Sequence, residues 1–506
     1  MCGIAGIWGT TDKVSVQTMM DTIVHRGPDA KGIFVVPSGS GILGHQRLSI
    51  IDPEGGDQPI YTNDQVKAII GNGEIYNYPQ LLPELQQRHR FSTKSDTEAI
   101  LHLYEERSIT AVAELDGMFA FAIIDDNKFM AARDPIGIKP LYYSEKDGHF
   151  WFASELKAIT KFCETVEEFP PGTFFSSETG FSTYYTLPDI SPEIDANVDD
   201  LIKEIQETVE ASVVKRLMAD VPLGAFLSGG LDSSIIAALA KKHKSELHTF
   251  SVGIEGSKDI KAARFVSNYL GTIHHEYLIT PAEVIAKLPE IIYFLESFDQ
   301  DLIRSAIPCY FTSRLAAEHV KVILTGEGAD ELFAGYTYYK DIPNDDTLHT
   351  ELRRSVSSLH NINLQRVDRL TMAHSIEGRV PFLDLKMIEL GQRIPAHLKL
   401  KGNPLVEKWI LRKAFEDILP EEIVWRKKEQ FDEGSGTVDL LTETLKEIMN
   451  EEQAQQYRKH HSNVNLRSAE ECYYHQLFMN AFENPSGILK NVARWAERPL
   501  SFNDVS

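Results

Sequence analysis

Cys2 directly follows the initiator Met1, so removal of that methionine would place a thiol and a free α-amine on one residue. Such an amine, with a reference pKa of about 7.7–8.0, can take the proton of a thiol whose own value is about 8.5, directly or through a water. The thiolate can attack an amide carbonyl if donors meet the oxyanion that forms. The run Gly71-Asn72-Gly73-Glu74 offers an asparagine amide and an unhindered glycine N–H for that task. An amino-acid substrate also needs both backbone charges held. Arg47 can fork onto an α-carboxylate, and Asp96 or Glu74 can pair with an α-ammonium. A cysteine at this position, taken alone, is otherwise a small buried hydrophobe.

A second set of residues suits phosphate chemistry. Ser228-Gly229-Gly230-Leu231-Asp232-Ser233-Ser234 lies between an apolar strand and an apolar helix. Consecutive glycines let backbone N–H groups face an anion, and a helix N-terminus adds partial positive charge. A glycine turn capping a helix with Ser and Asp is the plainer reading of that heptad. No Gly-Lys-Ser/Thr of the Walker type occurs in the chain. The turn Thr325-Gly326-Glu327-Gly328-Ala329-Asp330-Glu331 brings three carboxylates close together, where they would repel one another unless compensated. A Mg²⁺ ion bridging Asp232 and Asp330 to substrate phosphates resolves this, leaving Glu327 as a base or as a holder of the attacking nitrogen. Helix N-terminal acids favoured by the dipole are the alternative. Lys428, in Trp425-Arg426-Lys427-Lys428-Glu429-Gln430-Phe431, is then a fixed positive charge for a leaving pyrophosphate rather than solvated surface.

These blocks carry a resemblance. The start MCGIAGI, Arg26-Gly27-Pro28-Asp29, His45-Gln46-Arg47-Leu48-Ser49-Ile50, Asn72-Gly73-Glu74-Ile75-Tyr76-Asn77, Ser95-Asp96, and Arg133-Asp134 with Pro140-Leu141-Tyr142 resemble class II glutamine amidotransferase domains. SGGLDSS resembles the pyrophosphate loop of ATP pyrophosphatases. Together with Arg379-Val380-Pro381-Phe382-Leu383-Asp384, the whole is similar to glutamine-hydrolysing asparagine synthetases. The resemblance implies Cys2 as nucleophile, Asn72 and Gly73 as oxyanion hole, and Arg47, Leu48, Ser49, Ile50, Ile51, Asn72, Gly73, Glu74 and Asp96 as the glutamine pocket. It implies ATP held by Leu227, Ser228, Gly229, Gly230, Asp232, Ser233, Val252, Thr325, Gly326 and Lys428, with Mg²⁺ on Asp232 and Asp330 and Glu327 catalytic. A homodimer is also implied. The chain departs from the family at Asp301-Leu302, where a threonine pair commonly precedes Ile303-Arg304, and at Asp432-Glu433-Gly434, which is more acidic than usual.

The reaction so implied has two halves. Cys2 takes ammonia from glutamine through a thioester; aspartate, activated by MgATP as β-aspartyl-AMP with release of pyrophosphate, receives the ammonia and loses AMP. Ammonia must stay unprotonated in transit, which predicts a largely apolar passage between the sites. Rival readings are an amidotransferase of this family acting on another carboxylic acid in secondary metabolism, a lactam-forming relative, and a binding protein that senses nucleotide or glutamine without turnover. The intact glutaminase set argues against lactam closure, which uses no ammonia, and the joint presence of Cys2, Glu327 and Lys428 argues against a mere sensor. Arg304, Glu377 and Arg379 are candidates for the aspartate pocket.

The elements that must position these residues change style along the chain. Up to about residue 185, β-type runs at 3–9, 32–36, 67–70, 117–124, 129–133, 141–143 and 172–175 alternate with turns, and helices are expected at 15–24 and 96–106. This predicts an α+β layered, Ntn-hydrolase-like domain over residues 1–190. Residues 187–200, polar and with two prolines, read as a linker. Beyond them, strands at 223–227, 248–252 and 320–324 alternate with helices at 201–218, 234–242 and 260–270. That predicts an α/β parallel-sheet ATP-pyrophosphatase domain over 199–506, with a helical C-terminal part and ligands at the strands' carboxyl ends. The last stretch of about 75 residues carries no readable motif.

Composition sets the frame. The 506 residues carry 51 Lys+Arg against 74 Asp+Glu, a net charge of −23. That excludes a protein coating nucleic acid or an anionic membrane, both of which need a basic footprint. The four cysteines, Cys2, Cys163, Cys309 and Cys472, have neither zinc nor redox spacing, and no signal peptide or membrane span is readable. A soluble cytoplasmic enzyme with free thiols is expected.

Overall fold

The computed structural model describes residues 2–62, 64–428, 434–436 and 444–494. Among the described residues the first part builds two six-stranded antiparallel sheets. In one, the inner strands are Tyr142–Lys146, His149–Ala153, Gly3–Trp8 and Gly41–Arg47; in the other they are Thr173–Ser176, Lys128–Arg133, Gly117–Asp125 and Lys67–Ile75. Side chains alternate between faces, so each strand feeds two cores. Ile4 and Leu43 meet Ala68, Ile70, Ala120 and Ala122 between the sheets. Ala5, Ile7 and Ile42 point outward onto Val16, Met19 and Met20 of the helix Lys13–Thr22. Ile69, Phe119, Phe121 and Ile123 pack against Ala99, Ile100 and Leu103 of the helix Asp96–Arg107. The layers run helix, sheet, sheet, helix, the expected Ntn-hydrolase-like arrangement. Burial on both faces explains why Gly117–Asp125 reads as an unbroken apolar run.

The second part is a parallel sheet of five strands rather than the three expected. The order is Ile273–Leu278, His248–Gly253, Leu223–Phe226, Val322–Leu324, Glu377–Arg379. The two additional strands are the edges. One is polar and the other is three residues long, and neither shows an apolar run. Chain order reverses between Leu223–Phe226 and Val322–Leu324, and a crevice forms at such a switch point beyond the carboxyl ends. The glycine turns that follow these two strands therefore face each other. The supposed linker is shorter than expected. Asn197 caps the helix Val198–Lys215 by accepting from the Asp199 and Asp200 N–H groups. The preceding coil is tied down, with Arg353 donating to the Leu187 and Pro188 carbonyls.

The C-terminal region also has a place. The helix Ala469–Ala481 packs on Pro281–Leu295, and Asn484 and Asn491 reach back to the Thr160 and Val166 carbonyls of the first part. A buried charge network closes the same seam. Arg26 donates to Glu155 Oε1 at 2.8 Å and to Asp368 Oδ2 at 2.8 Å, while Arg369 donates to Glu296 Oε2 at 2.8 Å. All four cysteines are free and buried. No described helix is long and apolar enough to cross a membrane.

Candidate active site

The two sheets of the first part meet at Cys2. Its N–H donates to Asn72 Oδ1 at 3.0 Å, linking the strand that Cys2 precedes to the centre of Lys67–Ile75. Asn72 is fully buried, and its Nδ2 has no partner among the described residues. Gly73 follows with φ +144°, and a Cβ there would lie 1.9 Å from the Met118 carbonyl oxygen, so no other residue fits. Burial pushes the Cys2 thiol upward, against the N-terminal charge and the Leu48 carbonyl. His45, donating from Nε2 to the Gly71 carbonyl, is lowered to about 3 by burial and stays neutral near pH 7. No histidine pairs with Cys2 among the described residues; its thiol lies 3.9 Å from the Leu48 carbonyl oxygen.

A small cavity of about 20 Å³ opens at this point, lined by Cys2, Arg47, Leu48, Ile50, Ile51, Gly73, Glu74 and Asp96 among others. Ser49 is not on its wall; its N–H donates to Asp29 Oδ2. Arg47 lines it but is already engaged: Nη1 donates to Asp57 Oδ1 at 2.7 Å and Nη2 to the Asp52 carbonyl at 2.6 Å. Asp96 Oδ2 accepts from the Ile75 N–H at 2.6 Å, and burial pushes its carboxyl up to about 6. Glu74 is raised well above the usual carboxylate range by burial, then by Glu377 and Asp96.

Glu377 and Arg379 correct an expectation. They do not line the large cavity of the second part, and so are not placed as aspartate ligands. They belong to the Cys2 neighbourhood, where Arg379 lies 3.3 Å from Glu74 Oε1 and 2.6 Å from Glu377 Oε1. Burial would raise Glu377, but the N-terminal charge, Arg379 and Lys139 hold it at about 2. The edge strand of the parallel sheet thus supplies charge to a site built by the other half.

The switch-point crevice is a cavity of about 460 Å³. Leu227, Ser228, Gly230, Asp232, Ser233, Val252, Thr325, Gly326, Glu327, Asp330 and Lys428 line it. Gly229 does not. It turns at φ +72° with its Cα against the backbone of Ala262, 2.4 Å from where a Cβ would sit, and lets the loop pass under the helix Lys258–Leu270. Arg304 lines the cavity but is clamped by Glu470, and Asp301 of the departed pair is held by Arg467 at 2.8 Å. Gln430, Phe431, Asp432 and Glu433 lie outside the described residues.

Asp232, Asp330 and Glu327 have cationic partners, so their mutual repulsion does not by itself call for an ion. Lys408, buried, donates to Asp232 Oδ2 at 2.5 Å and to Asp330 Oδ1 at 2.6 Å. Lys428 also contacts Asp330, and Arg366 pairs with Glu327. Burial would raise Asp330, but Lys408 and Lys428 hold it well below the usual range. Glu327 is raised by burial despite Arg366, and Glu331 is pushed up to about 7 by burial and Asp330. Lys408 and Arg366 escaped the sequence reading because a lone cation inside a mixed helix pattern looks like solvated surface. Asp232 Oδ1 is buried with no partner among the described residues, an acceptor suited to a cation.

The fold and the two sites define a glutamine amidotransferase unit joined to a nucleotide-using synthetase unit. Comparison with known proteins agrees: the glutamine amidotransferase domain family matches residues 1–185, and the asparagine synthase family matches 204–345 and 340–503. Asparagine synthetase B [glutamine-hydrolyzing] of Escherichia coli K12 is 39% identical, over 96% of this chain and 92% of its own length. Asparagine synthetase [glutamine-hydrolyzing] 2 of Oryza sativa is 40% identical over 98% and 87%, and the Arabidopsis thaliana form 1 is 38% identical over 95% and 86%. The chain belongs to the glutamine-hydrolysing asparagine synthetase family.

Proposed function

We propose that the chain makes asparagine from aspartate, ATP and glutamine, with residues 1–190 hydrolysing glutamine and 199–506 carrying out the synthetase half-reaction. The observation that carries this is Asn72 Nδ2 beside Cys2, a buried donor with no partner among the described residues and so suited to receive an oxyanion. The Cys2 thiol gives its proton to the terminal amine and adds to glutamine's side-chain amide carbon. Asn72 Nδ2 and the Gly73 N–H receive the oxyanion; ammonia leaves, and water releases glutamate from the thioester. Arg47 takes the α-carboxylate, and Asp96 with Glu74 takes the α-ammonium. Leu48, Ile50 and Ile51 flank the side chain.

At the switch point, the SGGLDSS loop holds the phosphates and Val252 the adenine side. The β-carboxylate of aspartate attacks the α-phosphorus, pyrophosphate departs against Lys428 and Lys408, and ammonia displaces AMP while Glu327 accepts a proton. Mg²⁺ on Asp232 and Asp330 would neutralise phosphate charge, and the unpartnered Asp232 Oδ1 fits that role. An apolar passage is supported by one buried cluster that includes Leu48, Ile50 and Met118 of the first part and Leu227, Leu231, Val380 and Leu383 of the second. A homodimer and a cytoplasmic setting complete the proposal.

Incubation with ATP, Mg²⁺, glutamine and a panel of carboxylic acids tests it. Pyrophosphate, AMP and asparagine should form together and depend on aspartate. Faster pyrophosphate release with another acid would make that acid the substrate.

A further inference from the structure

Three histidines converge on one face of the parallel sheet, and none lines either cavity. His248 opens the strand His248–Gly253, His275 lies on the neighbouring Ile273–Leu278, and His319 follows the helix Gln300–Ala317. The parallel register pairs His275 with Phe250, two residues beyond His248, so both histidines leave the sheet on the same side. His319 comes over them from the helix layer. The rings stack, with His275 and His319 centroids 3.8 Å apart and His248 and His275 centroids 5.2 Å apart. Phe250, buried, forms an apolar floor 5.1 Å from the His275 ring.

One ring nitrogen from each histidine lies within 4.8 Å of the other two. His248 Nδ1 and His275 Nε2 are 2.9 Å apart, which requires one of them to present a lone pair. Metal–imidazole bonds of about 2.0–2.1 Å in a tetrahedral arrangement separate the ligating nitrogens by about 3.4 Å. The His248 and His275 rings already have a centroid separation of 5.2 Å, whereas the stacked His275 and His319 rings, at 3.8 Å, must splay apart to share one ion.

We propose that His248, His275 and His319 bind one divalent transition-metal ion of the zinc type. Three imidazoles ligate it, and a fourth position faces solvent beside the exposed His319. The ion would pin the edge strand and the end of the long helix to the central sheet. It lies outside the acidic crevice, whose oxygen donors suit Mg²⁺ instead.

Metal-stripped full-length protein, held in excess Mg²⁺, would be titrated with Co²⁺ and followed by visible absorption. The expected result is one saturable equivalent with the ligand-field bands of a nitrogen and oxygen site, lacking near-ultraviolet thiolate charge transfer and displaced by Zn²⁺. His319→Ala and His275→Gln should each weaken it at least tenfold, and Zn²⁺ should raise the Tm of the wild type but not of His319→Ala. Ammonia-dependent synthesis by His319→Ala should stay at the wild-type level, showing that the variant is folded. No saturable band in the wild type, or an unchanged band in both variants, would overturn the site.

Discussion

In each site burial raises some carboxylates while neighbouring positive charge lowers others. Asp330 sits between two lysines and stays ionised, whereas Asp96, buried with few compensating charges, is raised to about 6. In the proposed role Asp96 holds the α-ammonium of glutamine only while charged, so its protonation as pH falls would remove the interaction. The kcat/KM for glutamine should therefore fall below about pH 6, as measured by glutamate release, and ammonia-dependent synthesis should not follow that curve. Asp96→Asn should lower kcat/KM at all pH values and abolish this inflection. Lys408→Met removes the cation shared by Asp232 and Asp330. Synthesis should drop by about 10²-fold or more while glutaminase activity survives, as read by pyrophosphate and glutamate assays on the same sample. Cys2, Asn72, Asp96, Asp232 and Asp330 were legible because their types and spacing announce chemistry. Lys408, Arg366 and the true place of Glu377 were not, since each is defined by a partner distant in sequence.

Apolar runs and glycine turns announced most of the strands, including Leu223–Phe226 and Val322–Leu324, whose glycine turns face the crevice. Gly41–Arg47 was read only as a motif, because its small and polar residues, Gly41, Gly44, His45 and Gln46, hide the alternation until it is paired on both sides. The edges Ile273–Leu278 and Glu377–Arg379 lacked any apolar signature, since an edge strand is defined by pairing rather than by composition. Gly73 shows what an element demands of one residue. Its φ of +144° and the 1.9 Å approach of the Met118 carbonyl leave no room for a methyl group. Gly73→Ala should force the strands Lys67–Ile75 and Gly117–Asp125 apart. It should lower stability by roughly 2–4 kcal/mol in urea unfolding and remove glutaminase activity.

The two halves are locked by buried charge rather than merely tethered. Arg26, a motif residue that the sequence left without a role, donates to Glu155 on its own side and to Asp368 on the other. Breaking such a pair leaves an uncompensated buried charge and costs about 3–5 kcal/mol. Asp368→Ala should loosen the seam, so that urea unfolding splits into two transitions. More glutamate should then form per asparagine as ammonia escapes, measured by amino-acid analysis of one reaction. The division of labour across that seam is the account's central claim, and Cys2→Ala tests it most directly. With glutamine as nitrogen source, asparagine formation should vanish; with ammonia it should continue at close to the wild-type rate. Loss of both activities, or survival of the glutamine-dependent one, would contradict the assignment of glutamine hydrolysis to Cys2 and of synthesis to a separate site.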